Sequence, residues 1–321
     1  MWIHNAVVTG VRAAVAAAMV RIGADVPVVV GVSGGADSLA LLLAAHALRL
    51  GRVTAAIVDH GLQPGSSARS LELAEMLRGR GIPAEVHPVV VEGPGGLEAA
   101  ARRARYAALA AARPDPAAPV LLGHTLDDQA ETVLLGLARG SGPRSIAGMR
   151  EWDAPWLRPL LGVRRAETRA ACTAAGLTPW EDPHNADPRF TRVRLRAEAL
   201  PLLEDILAGG VAPALARTAA QLREDGEALD AWAVAVRGAA EKEGTLDVAT
   251  LGEVPAAVRR RVLRAWLGDQ GVTALTDAHL RAADALVVDR GRGGPRVPGG
   301  LDLVRTHGRL VLRPAGRTDD G

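Results

Sequence analysis

The chain has 321 residues, with 38 Lys and Arg against 36 Asp and Glu and a formal net charge of +2. That length favours two domains with a sizeable core. Cys172 is the only cysteine, which excludes a disulfide framework, a cysteine zinc site and a cysteine-ligated iron–sulfur cluster. Because Lys242 is the only lysine, almost all of the positive charge is arginine. We attribute this total to genome composition, so local arginine clusters carry more weight than the total.

Residues 1–21 are rich in Ala and Val but lack a basic start, and they include Arg12 and Arg21. This pattern predicts an amphipathic helix and not a signal peptide. No apolar run in the chain is long enough to cross a membrane. Together with the single cysteine, these features predict a cytoplasmic protein with no membrane partner.

An apolar run at residues 26–32 is rich in β-branched side chains and predicts a buried strand. A helix is predicted over residues 39–50, and the residues between are Ser33, Gly34, Gly35, Ala36, Asp37 and Ser38. Strand, glycine turn and helix together aim backbone N–H groups at one point near the positive end of the helix dipole, where phosphate binds. The Walker lysine and the G-x-G-x-x-G pattern are both absent from this turn. A tight capped turn without a ligand is the less favoured alternative.

Strands and helices alternate after this loop. Strands are predicted at residues 52–59, 82–91 and 119–123, and helices at 67–80 and 97–113. The alternation predicts an α/β fold with a doubly wound, mostly parallel sheet. Asp59 and His60 follow the second strand, at the sheet edge where nucleotides bind in such folds. An ordinary polar strand end is an equal alternative for these two residues.

The helix at residues 97–113 has a face that we expect to pack on the sheet. A period of 3.6 places five small or apolar residues on that face: Leu97, Ala101, Ala104, Ala108 and Ala111. Arg105 borders this face, so we expect Arg105 and Tyr106 to lean into the site and Arg103 to be solvated. A structural ion pair is the alternative for Arg105.

The next helix begins in an acidic stretch. Thr125 and Asp128 have the spacing of a capping box. Asp127 and Glu131 lie one turn apart on the face that continues to Leu134, so they are expected to point toward the core. Carboxylates there are costly unless a cation meets them, and Mg²⁺ bound to ATP phosphates is such a cation. A contribution to the helix dipole alone is the alternative.

Further along, residues 156–161 form an apolar segment, residues 168–176 a helix, and residues 180–196 a polar, proline-broken loop. Arg192, Arg194 and Arg196 alternate at the end of this loop, beside Phe190. This arrangement suits phosphate contact next to an aromatic side chain. A solvated basic loop is an equal alternative.

We place the domain boundary at 205/206, where the composition shifts to long helices; a hinge is expected at residues 208–212. Helices are then predicted at 255–267 and 278–288, and strands at 301–305 and 309–312. Four arginines of the first of these helices suggest a small α+β module that faces nucleic acid: Arg259, Arg260, Arg261 and Arg264. Residues 316–321 are expected to be a disordered tail.

Six segments, in order and spacing, resemble the tRNA(Ile)-lysidine synthase family of PP-loop ATP pyrophosphatases: SGGADS, VDHGL, ARRARY, GHTLDDQAETVLLGLARGSGP, LRPLL and EDPHNADPRFTRVRLR. The C-terminal helix, glycine-proline turn and hairpin resemble the family's second domain more loosely. The resemblance implies a Rossmann-like PP-loop domain at 1–205, then a helical linker and a smaller tRNA-binding domain at 206–321.

The resemblance implies a two-step ligase that uses ATP and Mg²⁺. The wobble cytidine of an isoleucine tRNA with a CAU anticodon attacks the α-phosphate of ATP through its 2-oxygen, and pyrophosphate leaves. The side-chain amine of free lysine then displaces AMP at C2 and forms lysidine. The partners are therefore this tRNA and free lysine; the oligomeric state, a homodimer included, stays open.

The resemblance also implies residue roles. Residues 33–38 would hold the pyrophosphate, Asp37 and Asp127 would hold Mg²⁺, and Arg105 would offset charge on the α-phosphate. The sequence does not separate Asp127 from Asp128 as the metal ligand, nor decide which of Asp127, Asp128 and Glu131 binds metal or lysine. Glu131 would receive the lysine ammonium. Asp59 and His60 are the remaining candidates for binding the nucleotide. The candidates for binding tRNA or the adenylate are Asp182, Asn185, Arg192 and Arg196.

The chain departs from the family pattern at two places. The family usually reads D-x-S-N where this chain has Asp182-Pro-His-Asn185, and R-N-x-I-R where it has Arg192-Val-Arg-Leu-Arg196. Roles of the family's Ser and Asn at those positions therefore do not carry over.

Three other functions fit the sequence less well. A thiolating PP-loop enzyme needs more cysteines than Cys172 alone. A PP-loop amidotransferase needs a glutaminase or an ammonia channel, and no Cys nucleophile with a partner His is evident. A non-catalytic tRNA- or nucleotide-binding protein would have no use for Asp37, Asp127 and Glu131, and Asp37→Ala would leave its tRNA affinity intact.

Overall fold

The computed structural model describes residues 6–23, 26–48, 52–140, 142–289 and 294–315. The chain divides into two compact units, Met1–Ala220 (unit 1) and Gln221–Gly321 (unit 2). The predicted domain boundary at 205/206 stays a prediction.

Unit 1 contains a six-stranded sheet with flanking helices. Its strands are β1 (Val28–Gly31), β2 (Val53–Asp59), β3 (Ala84–Pro88), β4 (Val120–Leu121), β5 (Trp152–Asp153) and β6 (Trp156–Leu157). Its helices are α1 (Ala6–Ile22), α2 (Ala36–Ala47), α3 (Ser66–Gly79), α4 (Gly96–Ala111), α5 (Leu126–Arg139), α6 (Pro143–Ile146), α7 (Arg165–Ala174), α8 (Thr191–Arg194) and α9 (Leu200–Ile206), with a 3₁₀ turn at Pro183–Ala186 and a π-helical turn at Leu195–Ala199. The long helix α10 (Val211–Ala240) begins in unit 1 and continues into unit 2.

The sheet of unit 1 has the strand order β3-β2-β1-β4-β6-β5, and all of its pairs are parallel except β5 with β6. The chain runs outward from β1 through β2 to β3 and then returns to the other side of β1 with β4. A crevice opens at such a reversal, outside the carboxyl ends of the two central strands. The predicted α/β fold with a mostly parallel sheet is confirmed, and the reversal places the ligand site between β1 and β4.

Helices cover both faces of the sheet, as the alternation along β1 shows. Val28 and Val30 pack into a core that also contains buried residues of α1, α2 and α7. Val29 points to the opposite face and packs with Leu109 of α4. Both faces of the central strand are therefore buried, which explains its uninterrupted run of valines.

The predicted buried face of α4 is partly wrong. Leu97 is 63% exposed and Ala111 is also exposed, whereas Ala100 and Leu109 are buried. The contact face lies about one residue further round the helix than the alanine pattern indicated, because Leu109 is the large side chain that fills the space against the sheet. This rotation still brings Arg105 toward the site.

Two helices begin three residues earlier than predicted. α2 starts at Ala36, so Asp37 and Ser38 belong to its first turn rather than to the preceding loop. α7 starts at Arg165 rather than at Thr168. Helix N-termini are difficult to place from sequence when no Ser, Thr, Asp or Asn occupies the cap, and Gly35 and Arg164 occupy these two.

The segment from Thr191 to Ile206 is helical rather than an extended basic loop. Arginines on alternate residues therefore do not share one side. Arg192 and Arg196 lie four residues apart and face the same way, whereas Arg194 pairs with Glu198 at the surface. α9 and α10 are separated within residues 208–212, where Ala208 and two glycines have positive φ; the hinge predicted there stays a prediction.

Unit 2 has an antiparallel five-stranded sheet of order β7-β8-β11-β10-β9. Its strands are β7 (Glu241–Lys242), β8 (Thr245–Asp247), β9 (Arg296–Val297), β10 (Leu301–Thr306) and β11 (Arg309–Pro314), and its helices are α11 (Val248–Gly252), α12 (Ala256–Asp269) and α13 (Asp277–Val288). Trp266 is fully buried in its core. His307 and Gly308 form the turn between β10 and β11. The predicted tail at 316–321 lies outside the described residues.

No single helix of the described ranges is both long enough and apolar enough to cross a membrane. The consecutive helical segments Thr191–Ile206 and Val211–Ala240, which are bent by 96° at their junction, reach the required length and apolar composition only as a pair.

Gly123, which follows β4, permits the closest approach between the sheet and the loop after β1. A Cβ atom at Gly123 would lie 2.9 Å from the backbone carbonyl carbon of Asp37 and 2.9 Å from the backbone nitrogen of Ser38. Neither atom is the end of a flexible side chain, so α2 would have to move.

We therefore expect Gly123→Ala to lower the free energy of unfolding by about 1–3 kcal/mol, as overpacking does, and to weaken ATP binding. Urea unfolding and nucleotide titration measure the two effects. Gly162→Ala is the matched control, because no atom lies within 4 Å of its added Cβ. Equal stability of the two variants would contradict this account of Gly123.

Candidate active site

A cavity of about 1060 Å³ lies at the carboxyl ends of β1, β2 and β4. Its wall includes residues 33–38 of the predicted phosphate loop, the end of β2 at Asp59, and His124 after β4. The volume is sufficient for a nucleotide and part of a second substrate. The cavity thus lies where the strand order predicts a ligand crevice.

The loop between β1 and α2 is closed by its two serines. The Ser38 hydroxyl donates to the Gly35 carbonyl at 2.9 Å and accepts from the Ser33 backbone N–H at 3.2 Å. Gly34 has φ +84°, and a side chain there would be strained. The loop therefore turns sharply and leads directly into the N-terminus of α2, which is the geometry of a phosphate cradle.

Asp37, in the first turn of α2, is held from α7. The Thr168 hydroxyl donates to Asp37 Oδ1, and Arg165 Nε lies 3.3 Å from Asp37 Oδ2. Burial raises the pKa of Asp37 above its ordinary value, while Thr168 and Arg165 oppose that rise. Asp37 lines the cavity, as its predicted role at the phosphates requires.

The three acids at the start of α5 have different surroundings. Asp127 accepts a hydrogen bond from the Arg165 backbone N–H at 2.7 Å and lies 3.4 Å from Arg164, so it caps α7. Asp128 accepts from the Thr125 N–H and hydroxyl, both at 2.8 Å, which confirms the predicted capping box. Glu131 is fully buried. Of these three acids, only Asp128 lines the cavity.

One guanidinium group joins three of the carboxylates. Arg165 Nε lies 3.3 Å from Asp37, its Nη2 lies 2.6 Å from Asp128, and its Nη1 lies 3.5 Å from Glu131. Burial would lower the pKa of Arg165, but Asp128, Asp37 and Glu131 raise it above its ordinary value. We call Asp37, Asp128 and Glu131 the acid cluster. Arg165 is the cation that contacts all three acids; a magnesium ion at Asp37 and Asp127 stays a prediction.

Glu131 also receives two arginines from the helical segment 191–206. Arg196 Nε donates to Glu131 Oε1 at 2.8 Å, and Arg192 Nη1 lies 3.7 Å from Oε2. Arg196 lines the cavity, whereas Arg192 does not. The structure thus brings Arg192 and Arg196 to Glu131, and Arg196 alone to the cavity.

Three nitrogen atoms at the cavity wall are buried and have no hydrogen-bond partner among the described residues. They belong to His60 (Nδ1), Arg105 (Nε) and His124 (Nδ1). Burial lowers the pKa of His60, and Arg105 lowers it further while Asp59 opposes the change. Burial is also the largest cause that lowers the pKa of His124 to about 4; Asp128 opposes it, and Arg105 and Arg158 add to it. A cation and two neutral imidazoles therefore face the same space.

Arg105 forms no ion pair with a carboxylate of the described residues, which excludes the structural ion pair that was the alternative for it. Its guanidinium carbon lies 5.6 Å from the centre of the Tyr106 ring. A largely buried cation without a counter-ion is costly. An anionic group in the cavity would remove that cost, and a nucleotide phosphate is such a group.

The remaining predicted residues have other surroundings. Asp59 is buried and accepts from the Gly61 N–H at 3.0 Å and from Ser67 at 2.5 Å. Burial would raise the pKa of Asp59, but hydrogen bonds from Ser67, Ser66 and Gly61 lower it. Asp182 lines the cavity and accepts from Gln63 at 3.0 Å. Asn185 lies in the 3₁₀ turn, and its side chain lies outside the described residues.

Sequence reasoning missed Arg165, Trp180 and His124 as cavity residues. Arg165 was missed because α7 was predicted to begin at Thr168. Trp180 lies under Arg69, whose guanidinium carbon is 4.9 Å from the centre of the tryptophan ring. His124 could have been predicted by the same reasoning as Asp59 and His60. It directly follows the predicted strand at 119–123, just as Asp59 ends and His60 follows the predicted strand at 52–59.

The arginine cluster of unit 2 is largely paired within that unit. Arg259 and Arg260 lie 2.6 and 3.2 Å from Asp284, and Arg261 lies 2.8 Å from Asp230. Arg264 is exposed. The clustering of arginines on α12 therefore reflects internal ion pairs, and it is not by itself an indication of a nucleic-acid surface.

The acids present fit a magnesium ion only when substrate oxygens complete its shell. No group of three or more His, Cys, Asp or Glu side chains in the described ranges is arranged to hold a metal. Asp37 lines the cavity beside the phosphate loop, and Mg²⁺ commonly binds one or two carboxylates plus phosphates. Both Asp127 oxygens contact Arg164 or Arg165, so metal binding by Asp127 stays a prediction.

The fold and the loop now define the class of protein. Residues 13–203 match the family model of the PP-loop domain, and residues 246–311 match that of the TilS substrate binding domain. The chain is a PP-loop protein, in agreement with the loop between β1 and α2.

Sequence identity to known proteins identifies the family within this class. The chain is 62% identical over 292 residues to a tRNA(Ile)-lysidine synthase of Rhodococcus erythropolis, which covers 89% of each chain. It is 59% identical to that of Nocardia farcinica, over 92% of this chain and 94% of the relative. It is 57% identical to that of Mycobacterium tuberculosis, over 88% of this chain and 90% of the relative. The chain belongs to the tRNA(Ile)-lysidine synthase family and is a ligase.

A solved structure with the same fold is a U34-tRNA thiolase, NcsA from Methanococcus maripaludis, with its 4Fe-4S cluster. Its TM-score is 0.55 at 17% identity, and the match covers 68% of this chain and 80% of that one. At this identity the likeness concerns the fold alone.

The neutral state of His124 predicts a pH dependence of stability. Its pKa of about 4 in the folded chain lies below the value of 6.5 expected in the unfolded chain. The unfolded state therefore binds the proton first, and stability falls as the pH falls from 6.5 toward 4. We expect the low pKa of His124 to lower the free energy of unfolding by about 2–3 kcal/mol at pH 4.5, relative to neutral pH.

His124→Gln should therefore lose less stability than the wild type between pH 7 and pH 4.5, as measured by urea unfolding at both values. His46→Gln, which replaces an exposed histidine of α2, is the control and should retain the full wild-type loss. Identical losses for wild type and His124→Gln would show that His124 is not the group responsible.

Proposed function

We propose that the chain adenylates the wobble cytidine of an isoleucine tRNA with a CAU anticodon and then replaces the adenylate with free lysine. In the first step the cytidine 2-oxygen bonds to the α-phosphorus of ATP, and the bond to the β-phosphate oxygen breaks, releasing pyrophosphate. In the second step the lysine side-chain amine bonds to C2, AMP leaves with the bonding electrons, and the amine loses its protons to solvent or a base. The observation that carries this proposal is a single cavity lined by the phosphate loop, by Asp37 and Asp128, and by Arg105, which has no carboxylate partner among the described residues.

The phosphate loop supports the first step. Residues 33–38 present backbone N–H groups and two hydroxyls at the N-terminus of α2, which suits a pyrophosphate leaving group. We assign Asp37 to the Mg²⁺ that ATP carries, and this ion supplies positive charge to the leaving phosphates when it is bound. His60, also at this end of the sheet, contributes a neutral imidazole to the same wall.

Arg105 supports the same step. Its guanidinium lines the cavity without a carboxylate partner among the described residues. Charge builds on the α-phosphate oxygens as the cytidine oxygen approaches. A preformed, desolvated cation aimed at that charge stabilises the transition state more than it stabilises ATP in the ground state.

The acids support the second step. Free lysine carries a side-chain ammonium, and Glu131 is the buried carboxylate that we assign to it. Arg192 and Arg196 lie at Glu131, with Arg196 at the cavity wall, so a tRNA or adenylate phosphate would find Arg196 there. Asp182 and Asn185 complete the proposed substrate residues. The tRNA body would be bound in part by unit 2, as the name of the domain matched at residues 246–311 indicates.

Two alternatives are disfavoured by specific observations. Thiolation would need a reactive thiol, but the buried Cys172 donates to the Ala36 carbonyl, and burial and Asp37 raise the pKa of its thiol to about 11. A non-catalytic binder is disfavoured by the chain's membership of a family whose relatives are synthases. We propose the cytoplasm as the compartment, since free lysine, ATP and tRNA are found together there.

Labelled lysine tests the reaction directly. We expect ATP-dependent incorporation of lysine into an isoleucine tRNA transcript with a CAU anticodon, and none into a methionine tRNA with the same anticodon. Pyrophosphate release that depends on tRNA but brings no lysine into it would retain the adenylation step and refute lysine as the nucleophile. The absence of both would refute the proposed reaction.

Arg105→Gln should slow tRNA-dependent pyrophosphate release on the order of 100-fold, because a transition-state contact is lost, with a smaller change in the KM for ATP. Arg103→Gln is the matched control on the same helix, since Arg103 is exposed and binds the Pro94 carbonyl. Steady-state kinetics of both variants measure the difference. A rate for Arg105→Gln within threefold of the control would exclude Arg105 from the chemical step.

A further inference from the structure

The acid cluster and the neighbouring Asp127 are already neutralised in the chain alone. The four carboxylates of Asp37, Asp127, Asp128 and Glu131 face four guanidinium groups, those of Arg164, Arg165, Arg192 and Arg196. An additional ammonium group that enters this largely buried site would find every carboxylate already paired with a guanidinium group. Its binding is therefore unfavourable unless one of the resident cations moves away.

Access to Glu131 points to the cation that moves. Glu131 is fully buried and does not line the cavity, whereas Arg165 and Arg196 both line the cavity and both contact Glu131. These two guanidinium groups therefore lie between the cavity and this carboxylate. Arg196 holds Glu131 more firmly, through a 2.8 Å hydrogen bond, than Arg165 does at 3.5 Å.

The Arg165 side chain makes one short contact and two longer ones with the acids. Only its contact with Asp128, at 2.6 Å, is short; those with Asp37 and Glu131 are 3.3 and 3.5 Å. Its backbone N–H, in contrast, is bound to Asp127 at 2.7 Å. The side chain can therefore leave the acids while the first turn of α7 stays in place.

We propose that Arg165 is a cation placeholder for lysine. Its guanidinium occupies, in the empty enzyme, the position between Asp128 and Glu131 that the side-chain ammonium of free lysine takes during the reaction. It keeps the buried acids paired until the substrate arrives and then moves into the cavity. Arg165 is thus a positioning and specificity residue: only a cationic side chain offers the acids a replacement for it. This inference rests on the proposed function, because it takes lysine as the second substrate.

The test is calorimetric titration of L-lysine into the full chain without nucleotide. A competitor that occupies the site lowers the apparent affinity by the fraction of time the site is free. Arg165→Gln should therefore bind lysine on the order of tenfold more tightly than the wild type. Arg165→Lys should bind it a few-fold more tightly, since a single ammonium cannot reach three carboxylates as a guanidinium does.

Arg169→Gln is the matched control. Arg169 lies one turn further along α7, is 55% exposed and pairs with Glu181 rather than with the acid cluster. Its replacement should leave lysine affinity within twofold of the wild type. Thermal melting checks that each variant folds, and Arg165→Lys, which keeps a cation among the acids, decides the question if Arg165→Gln does not fold.

A second measurement distinguishes a side chain that lysine displaces from one that only stabilises the fold. Methylguanidinium reproduces the missing head group, so it should weaken lysine binding to Arg165→Gln and have no such effect on the wild type. Weaker lysine binding in the Arg165 variants, or no competition by methylguanidinium, would overturn the placeholder while lysine incorporation by the wild type leaves the proposed function intact. A wild type that neither binds nor incorporates lysine, yet releases pyrophosphate with tRNA, would refute lysine as substrate and the placeholder with it.

Discussion

The contact of Arg165 with three carboxylates is the interaction on which the site depends. It joins the first turns of α2, α5 and α7, because Asp37, Asp128 and Arg165 itself come from these turns. Carboxylates are favourable near helix N-termini, but three of them in one buried place repel one another. A planar guanidinium with several donors offsets that repulsion where a point charge could not reach all three. The charge balance of the acid cluster thus depends on the Arg165 side chain, while the hydrogen bond from its backbone N–H to Asp127 holds the first turn of α7 independently.

The cavity brings groups of opposite charge together. Its lining includes the phosphate loop, Arg105 and two neutral histidines, which suit the anionic phosphates of ATP. Asp37 and Asp128 of the acid cluster line the same cavity, where Arg165 pairs with both. Because these groups are largely desolvated, their interactions with a charged substrate are stronger than they would be in water.

The fold, much of the loop and several site residues could be predicted from sequence because their signals are local. The valine run of β1, the alternation of strands and helices, and the capping box at Thr125 and Asp128 each depend on neighbouring residues. The rotation of α4 could not be predicted in the same way, since it is decided by Leu109 against the sheet. The orientation of Arg192 and Arg196 likewise required knowing that residues 191–206 are helical.

The sequence by itself determined the class of fold, the phosphate loop at residues 33–38, and the family, because glycine turns, β-branched runs and ordered motifs are written in consecutive residues. Only the tertiary structure decided which cation meets the acids. Arg165 lies 128 residues from Asp37 and 34 from Glu131 along the chain, so no local pattern relates them. Electrostatic pairing in a buried site is set by distance in space, and that distance exists only once α2, α5 and α7 have packed together.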